Sequence, residues 1–136
     1  MSKAIGVGII GAGLRGAFVL APRIIELYDE TSLRVRAIND VLPMRRAEVR
    51  FLLNTMLMKQ GIRERVRGYA KHGKLLSNEN IQLVLITTPT YFHRQPTLAA
   101  LRAGKRVYLD KPIAVTLEDS AAIVSAVEES GRPLLM

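Results

Sequence analysis

Apolar residues along this chain are concentrated in short segments separated by longer stretches in which apolar and polar residues alternate with helical spacing. These segments cover residues 4–10, 33–39, 83–87 and 106–110, and a further one begins at Leu134. The first is apolar nearly throughout, which is typical of a parallel strand that is covered on both faces. The stretches between them predict helices that cross from one strand to the next. We therefore predict an α/β fold with a doubly wound, mainly parallel sheet and helices on both faces.

Proline and glycine mark where the predicted helices bend and end. The first helix is expected over about residues 14–28, with a kink or break near Ala21 because Pro22 removes a hydrogen bond and clashes with the preceding turn. Three glycines follow later helical patterns at positions that end a helix: Gly61, Gly104 and Gly131. Further helices are expected at about 44–59, 74–77, 94–103 and from Thr116, and an edge strand at 65–69.

One of these helices carries more apolar residues than a single buried stripe requires. The helix at 44–59 has a stripe of Val49, Leu52, Leu53 and Met56, and it also carries Phe51, Leu57 and Met58. We expect the additional residues to lie in the core, with a surface for another subunit or domain as the alternative. For the last helix, the expected apolar side consists of Leu117, Ala121, Ile123, Val124 and Val127.

The first apolar run leads into a glycine turn with the pattern G-x-G-x-x-G at Gly11, Gly13 and Gly16. In a dinucleotide site, the first glycine permits a sharp turn, the second lets a pyrophosphate approach the backbone, and the third lets the helix pack close to the strand. The amides of Leu14, Arg15 and Gly16 would then face the diphosphate at the helix N-terminus. An ordinary tight turn is the alternative, but the strand before it and the helix after it favour a Rossmann-type dinucleotide site.

The second predicted strand is followed by Asp40. A dinucleotide site has its ribose-binding acid at this position. Asp40 lies 24 residues after Gly16 and would accept hydrogen bonds from the adenosine ribose hydroxyls. A turn aspartate preceding Pro43 is the alternative. The ribose role favours NAD, because a carboxylate repels a 2′-phosphate, whereas the neighbouring Arg45 and Arg46 leave NADP open.

Two more strand ends are expected at the edge of the sheet that carries the glycine turn, namely Thr87-Thr88-Pro89 and Asp110-Lys111-Pro112. Lys111 would place a cation beside an oxyanion or a reduced nicotinamide and could serve in proton transfer, and a surface lysine is the alternative. His93 could bond a ribose or cap the following helix. With two histidines and no cysteine in the chain, we expect no metal site.

Composition and charge limit the class of protein further. The 136 residues leave room for one domain, and no apolar run approaches the length of a membrane span. Residues 1–3 lead directly into the first strand without a signal-peptide layout, so we expect a cytoplasmic protein without a membrane partner. The net charge of +8 is concentrated in residues 34–74, which hold eleven lysines and arginines against three acids. Because few aromatic residues lie among them, we expect a solvated face and no nucleic acid.

Several of these segments together resemble the N-terminal domain of the glucose–fructose oxidoreductase / inositol dehydrogenase / MocA-like family. They are residues 11–16, 38–40, 85–93, 103–107 and 110–112, of which T-P-x-x-x-H and A-G-K-x-V…K-P are the most specific. The resemblance implies an NAD(P)-dependent oxidoreductase that acts on a sugar, polyol or related carbonyl compound. It also implies that Lys111 lies near the nicotinamide and the substrate as a catalytic residue, and that the Lys111–Pro112 bond is cis.

The chain departs from this family in two respects. Asp110 stands where the family usually has a glutamate, so its carboxylate reaches about one methylene less far. The family also has a second domain with the substrate pocket, so residues 1–136 are interpreted as the cofactor domain of a longer enzyme, with little turnover alone. A homo-oligomer is compatible with this interpretation. The alternative is a non-catalytic dinucleotide-sensing or assembly protein, in which the Met-rich helix and the basic region contact a partner.

Overall fold

The computed structural model describes residues 3–136, and Met1 and Ser2 lie outside the described residues. Six strands form a single sheet in the order β3-β2-β1-β4-β5-β6, and every neighbouring pair is parallel. The strands are β1 (Ile5–Ile10), β2 (Leu33–Asn39), β3 (Arg67–Tyr69), β4 (Leu83–Ile86), β5 (Arg106–Leu109) and β6 (Leu134–Leu135). This strand order confirms the predicted Rossmann-type doubly wound fold.

Helices connect the strands on both faces of the sheet. A π-helical segment (Leu14–Leu20) continues directly into α1 (Ala21–Glu26), and a short 3-10 segment (Thr90–Phe92) precedes α4. The remaining helices are α2 (Pro43–Lys59), α3 (His72–Leu76), α4 (Arg94–Arg102) and α5 (Leu117–Ser130). The helical form changes from π to α at Ala21, next to Pro22, but the helix is continuous there, so the predicted break does not occur. The predicted strand at 65–69 is shorter than expected, and α3 begins two residues earlier than expected.

The sheet separates two apolar core layers. On one face, α1 and α2 pack against alternate residues of β1 and β2, with Ile9, Ile38 and Leu53 among the fully buried side chains. On the other face, α3 packs against β1, β2 and β3, α4 packs against β4 and β5, and α5 packs on α4, with Ile86 and Ile123 in that layer. Buried strands flanked by helices in this way expose only their ends. Within residues 3–136, no helix is both long and apolar enough to cross a membrane.

Two predictions about apolar residues on helices are wrong. Phe51 and Met58 are 76% and 62% exposed, although Leu57 is in the core as expected. Leu117 and Val124 are 90% and 50% exposed, and Ala121 is also exposed. Each helix buries only the face that meets the sheet, and the sequence pattern does not distinguish that face from a second apolar row.

A buried tyrosine completes the hydrogen bonding of β2 where β3 does not reach. The phenol oxygen of Tyr28 accepts a hydrogen bond of 2.7 Å from the N–H of Val35, a residue that is 1% exposed. Beyond this point, β3 pairs only with residues 37–39 of β2. The Arg34 guanidinium lies 4.5 Å from the centre of the Tyr28 ring. Burial raises the pKa of the Tyr28 phenol.

We predict that Tyr28→Phe lowers the free energy of unfolding by about 1–3 kcal/mol, because the buried N–H of Val35 loses its acceptor. Since the pKa of Tyr28 is raised on folding, its contribution is fully present below pH 10 and is lost as the pH rises beyond that value. Urea denaturation of both proteins at neutral and alkaline pH measures the difference. Tyr91→Phe, at a residue 66% exposed, is the control. Equal stability of Tyr28→Phe and wild type at neutral pH would exclude this role.

Candidate functional site

The glycine turn is held between the carboxyl ends of three strands. The N–H of Gly11 donates to the carbonyl oxygen of Asn39, at 2.9 Å, and the Thr87 hydroxyl donates to the carbonyl oxygen of Gly11, at 2.7 Å. Gly11 has a φ of 94°, and a Cβ added there would lie 2.6 Å from the backbone nitrogen of Thr88. Glycine is therefore required at position 11 both by its backbone conformation and by the close approach of β4.

The third glycine of the motif allows the predicted close contact between helix and strand. A Cβ on Gly16 would collide with the Thr87 hydroxyl and would lie 2.7 Å from the Gly11 carbonyl oxygen. Thr87 is 9% exposed and is engaged beneath the turn. It therefore supports the turn from below, and the predicted contact of Thr87 with the cofactor stays a prediction.

The second glycine has open space around it. A Cβ added to Gly13 would meet no atom within 4 Å. The helical segment begins at Leu14, and the N–H of Ala17 donates to the Gly13 carbonyl oxygen, at 2.9 Å. The N–H groups of Leu14, Arg15 and Gly16 belong to the first helical turn, which has no intrahelical acceptor for them. Open space beside such amides is what a bound pyrophosphate requires.

Asp40 is a buried clamp between the glycine turn and the loop that follows β2. Its side chain is 8% exposed. One carboxylate oxygen accepts from the N–H of Ala12, at 3.1 Å, and the other accepts from the N–H of Leu42, at 2.9 Å. The Arg45 guanidinium lies 3.6 Å from the oxygen that Ala12 also contacts. Asp40 therefore acts as a turn aspartate, which was the alternative given from the sequence. Each carboxylate oxygen still has a lone pair that could accept a hydrogen bond from a ribose hydroxyl.

A cleft of about 440 Å³ runs from Gly11 across the ends of β2 and β4. Its wall is largely apolar, with Leu42, Pro89, Phe92 and Pro96, and its polar lining includes Asn39, Asp40, Arg45, His72, Thr88 and Gln95. An apolar wall with a few polar groups suits a flat heterocycle attached to a sugar.

Sequence reasoning missed part of this cleft. His72, the first residue of α3, lines the cleft and was not assigned to the site. Phe92 and Pro96 also line it and were not assigned to the site. Their position directly after the end of β4 is the signal that could have identified them, since ligands bind beyond the carboxyl ends of parallel strands.

A second, basic cleft of about 650 Å³ is lined by Arg36, Arg65, Arg67 and Lys74, among other residues. It includes none of the residues of the glycine turn. Although the basic cleft is larger, only the smaller of these two clefts includes Gly11 of the glycine turn, so the smaller cleft is the candidate cofactor site.

His93 joins two loops of the site from within the protein. Its ring is buried, with 1% of the residue exposed. Nε2 lies 2.9 Å from the carbonyl oxygen of Thr88, and Nδ1 lies 3.1 Å and 3.2 Å from the carbonyl oxygens of Pro112 and Ile113. The buried ring therefore lies between the Thr88 loop and the Pro112 loop and contacts both. The predicted contact of His93 with a ribose stays a prediction.

Asp110 and Lys111 lie at the end of β5, beside the start of the first helix. Asp110 accepts a hydrogen bond from the Lys111 N–H, at 3.1 Å, and lies 3.6 Å from the Arg15 guanidinium. Lys111 and Pro112 are exposed, and the bond between them is cis, as the resemblance implied. The Arg15–Asp110 pair thus brings the glycine helix and the Lys111 loop to the same edge of the sheet.

The residues present fit a dinucleotide. Thr88 lines the cleft, and its hydroxyl is buried with no hydrogen-bond partner within residues 3–136. An unpaired buried hydroxyl is costly unless a ligand or water satisfies it. Together with the open space at Gly13, it leaves polar groups for both a diphosphate and a sugar. The described part of the chain contains no group of three or more His, Asp or Glu side chains placed to hold a metal ion.

Known proteins match the chain along most of its length. A 1,5-anhydro-D-fructose reductase of Ensifer adhaerens is 43% identical over 58 residues, which are 43% of this chain and 17% of that protein. The scyllo-inositol 2-dehydrogenase (NADP(+)) IolW of Bacillus subtilis is 28% identical over 127 residues, which are 93% of this chain and 31% of that protein.

A solved structure has the same fold. The WlbA dehydrogenase of Chromobacterium violaceum, in complex with NADH and UDP-GlcNAcA, superposes with a TM-score of 0.78 at 21% identity, covering 98% of this chain and 35% of that one. The chain therefore spans about a third or less of the length of these proteins. The sequence profile of the Gfo/Idh/MocA family, described as an oxidoreductase family with an NAD-binding Rossmann fold, matches residues 5–136. This match covers nearly the whole chain, and the chain belongs to that family.

Proposed function

We propose that the chain is the cofactor domain of an oxidoreductase that acts on a sugar, polyol or related carbonyl compound. The observation that supports this proposal most strongly is the glycine turn. Space beside Gly13 is open, and the carboxylate of Asp40 holds the turn in place by accepting the N–H of Ala12. The substrate class is inferred from the similar proteins, whose names include an anhydrofructose reductase and an inositol dehydrogenase. Because the chain spans a third or less of those proteins, we infer that the substrate pocket belongs to a second domain.

In this proposal, the first-turn amides of Leu14, Arg15 and Gly16 bind the pyrophosphate. Arg15 is half exposed and adds a positive charge that Asp110 partly balances. The adenosine lies in the cleft between Leu42 and Phe92, with Asp40 and Thr88 within its lining. Pro89 lines the same cleft. A bound nicotinamide supplies the hydride donor or acceptor for the reaction.

Lys111 is the residue proposed to act on the substrate. Its ammonium is exposed at the end of β5, and Asp110 orders the backbone beside it. A substrate hydroxyl loses a proton when it is oxidised to a carbonyl, and the carbonyl gains one in reverse. A lysine at this edge can hold or deliver that proton at the substrate oxygen. Asp110 and Pro112 act through the placement of Lys111.

A non-catalytic sensing or assembly protein is the second candidate, and the exposed apolar residues of α2 favour it. Phe51 and Met58 have no partner within the described residues that covers them. Turnover of inositol or an aldose with NAD(P)+ by the natural gene product distinguishes the two functions. Dinucleotide binding without turnover on a panel of sugars and polyols would favour the sensor.

We predict that the chain binds NADH and that Gly13→Val weakens this binding about tenfold or more, a loss of at least about 1.4 kcal/mol. The new side chain fills space that is empty in the free protein, so the fold is retained while the pyrophosphate is obstructed. Calorimetric titration with NADH measures both affinities. The control is Gly73→Val, at another glycine with no atom within 4 Å of an added Cβ. Unchanged affinity in Gly13→Val, or no binding by wild type at millimolar NADH, would contradict the proposal.

We also predict that Asp40→Asn shifts the preference between cofactors toward NADP by roughly tenfold, because the carboxylate no longer repels a 2′-phosphate. The same substitution replaces an acceptor opposite the N–H groups of Ala12 and Leu42, so stability falls by about 1–3 kcal/mol. The ratio of the NAD and NADP dissociation constants separates the two effects. Glu48→Gln removes an exposed acid from α2 and should leave that ratio unchanged. A ratio unaltered by Asp40→Asn would refute the ribose role.

A further inference from the structure

The ring of His93 lies between two loops, and its hydrogen-bond partners within residues 3–136 are three backbone carbonyl oxygens. Nε2 lies 2.9 Å from the carbonyl oxygen of Thr88, after β4. Nδ1 lies 3.1 Å and 3.2 Å from the carbonyl oxygens of Pro112 and Ile113, after β5. The residue is 1% exposed, so the ring is removed from solvent. Because a carbonyl oxygen only accepts, each nitrogen needs a hydrogen to bond with the loop that it contacts.

The protonation state of His93 therefore determines how many of these contacts are hydrogen bonds. A neutral imidazole has one N–H group, and its other nitrogen is an acceptor. In either neutral tautomer, one ring nitrogen would direct its lone pair at a carbonyl oxygen, and one loop would lose its donor. An imidazolium has an N–H group on each nitrogen and can donate to both loops at once. The carbonyl groups around His93 are thus arranged as an imidazolium requires.

Charged side chains on the adjoining segments do not bond to the ring. They are Arg94 at the start of α4, with Glu118 and Asp119 of α5 beside it, and Asp110 and Lys111 after β5, with Arg15 beside Asp110. Arg94 lies 3.0 Å from a carboxylate oxygen of Asp119, and Arg15 lies 3.6 Å from one of Asp110, so both arginines are paired with acids. Lys111 is exposed, and solvent screens its charge. The three carbonyl oxygens are therefore the groups that act on the ring nitrogens directly.

Both loops that His93 contacts belong to the candidate cofactor site. Thr88 lines the cleft, and its buried hydroxyl has no hydrogen-bond partner within residues 3–136. Pro112 directly follows Lys111, the residue proposed to act on the substrate. Donation by both ring nitrogens would hold the wall of the cleft and the Lys111 segment in one arrangement.

We propose that His93 is a positioning residue that joins the two loops as an imidazolium, and that cofactor binding is coupled to proton uptake by its ring. This inference rests on the proposed function, in which the dinucleotide contacts the Thr88 loop and reaches Lys111. A ligand that contacts both loops favours the arrangement in which they are held together, and the imidazolium favours the same arrangement. The coupling is reciprocal, so protonation of His93 strengthens cofactor binding and a bound cofactor favours protonation.

Nitrogen-15 NMR of the histidine side chains measures the protonation state directly. The chain has two histidines, so the ring signals that remain in His72→Gln belong to His93. At about pH 6, below the ordinary histidine pKa of about 6.5, both nitrogens of His93 should carry a hydrogen when the chain is saturated with NAD+. The doubly protonated fraction should be smaller in the free chain at about pH 8. A ring that keeps one bare nitrogen at the lower pH, with and without NAD+, overturns the proposal.

Calorimetric titration with NAD+ at the same two pH values tests the coupling. We expect wild type to bind NAD+ about threefold or more tightly at the lower pH. His93→Gln replaces the ring with an amide that does not titrate, so the ratio of the two affinities should fall toward one. His72→Gln removes the other histidine, which also lines the cleft, and should keep a ratio of about three or more. Equal ratios in wild type and His93→Gln would overturn the coupling.

The outcomes also separate this inference from the proposed function. Binding of NAD+ with a pH ratio that His93→Gln leaves unchanged overturns the inference and leaves the proposed function standing. Wild type that binds no NAD+ at millimolar concentration, at either pH, contradicts the proposed function itself. Circular dichroism shows whether His93→Gln is folded. If it is not, the NMR measurement on the chain that retains His93 decides the question, since it needs no substitution at that position.

Discussion

The site depends on one buried carboxylate that ties the glycine turn to the following strand. Asp40 accepts the N–H of Ala12 on one oxygen and the N–H of Leu42 on the other, while Arg45 balances its charge. Because Gly11 is bonded both to Asn39 and to Thr87, the turn has no freedom to collapse into the space beside Gly13. A binding surface made of backbone amides requires this rigidity, since the amides cannot adjust their positions as side chains can.

The remaining contacts of the site act through this frame. His93 holds the Thr88 and Pro112 loops together from a buried position, and Arg15 joins the start of the first helix to Asp110. Open space remains beside the Gly13 backbone, Lys111 is exposed, and the buried Thr88 hydroxyl has no hydrogen-bond partner within residues 3–136. Structural and ligand-facing residues thus alternate along the same strand ends. This arrangement explains how several residues of a single motif can have different roles.

Much of the fold follows from local physical constraints in the sequence. Segments rich in apolar residues identified all the central strands, and glycines and prolines marked helix ends and the change of helical form at Ala21, because these residues restrict the backbone directly. The contacts of His93 and Thr87 could not be predicted, since they include carbonyl groups of Pro112 and Gly11, which are 19 and 76 residues away. The exposed apolar residues of α2 and α5 were expected to be buried for a related reason. Hydrophobic periodicity counts apolar residues on a helix but does not identify which row meets the sheet.

A crystal structure of the chain grown with NADH tests the central claim most directly. The account requires the pyrophosphate oxygens to lie about 2.7–3.2 Å from the backbone nitrogens at the start of the first helix, with the Asp40 clamp unchanged. The adenosine should occupy the cleft between Leu42 and Phe92. A dinucleotide bound instead in the basic cleft formed by Arg36, Arg67 and Lys74, or a turn rearranged so that Asp40 releases Ala12, would contradict it.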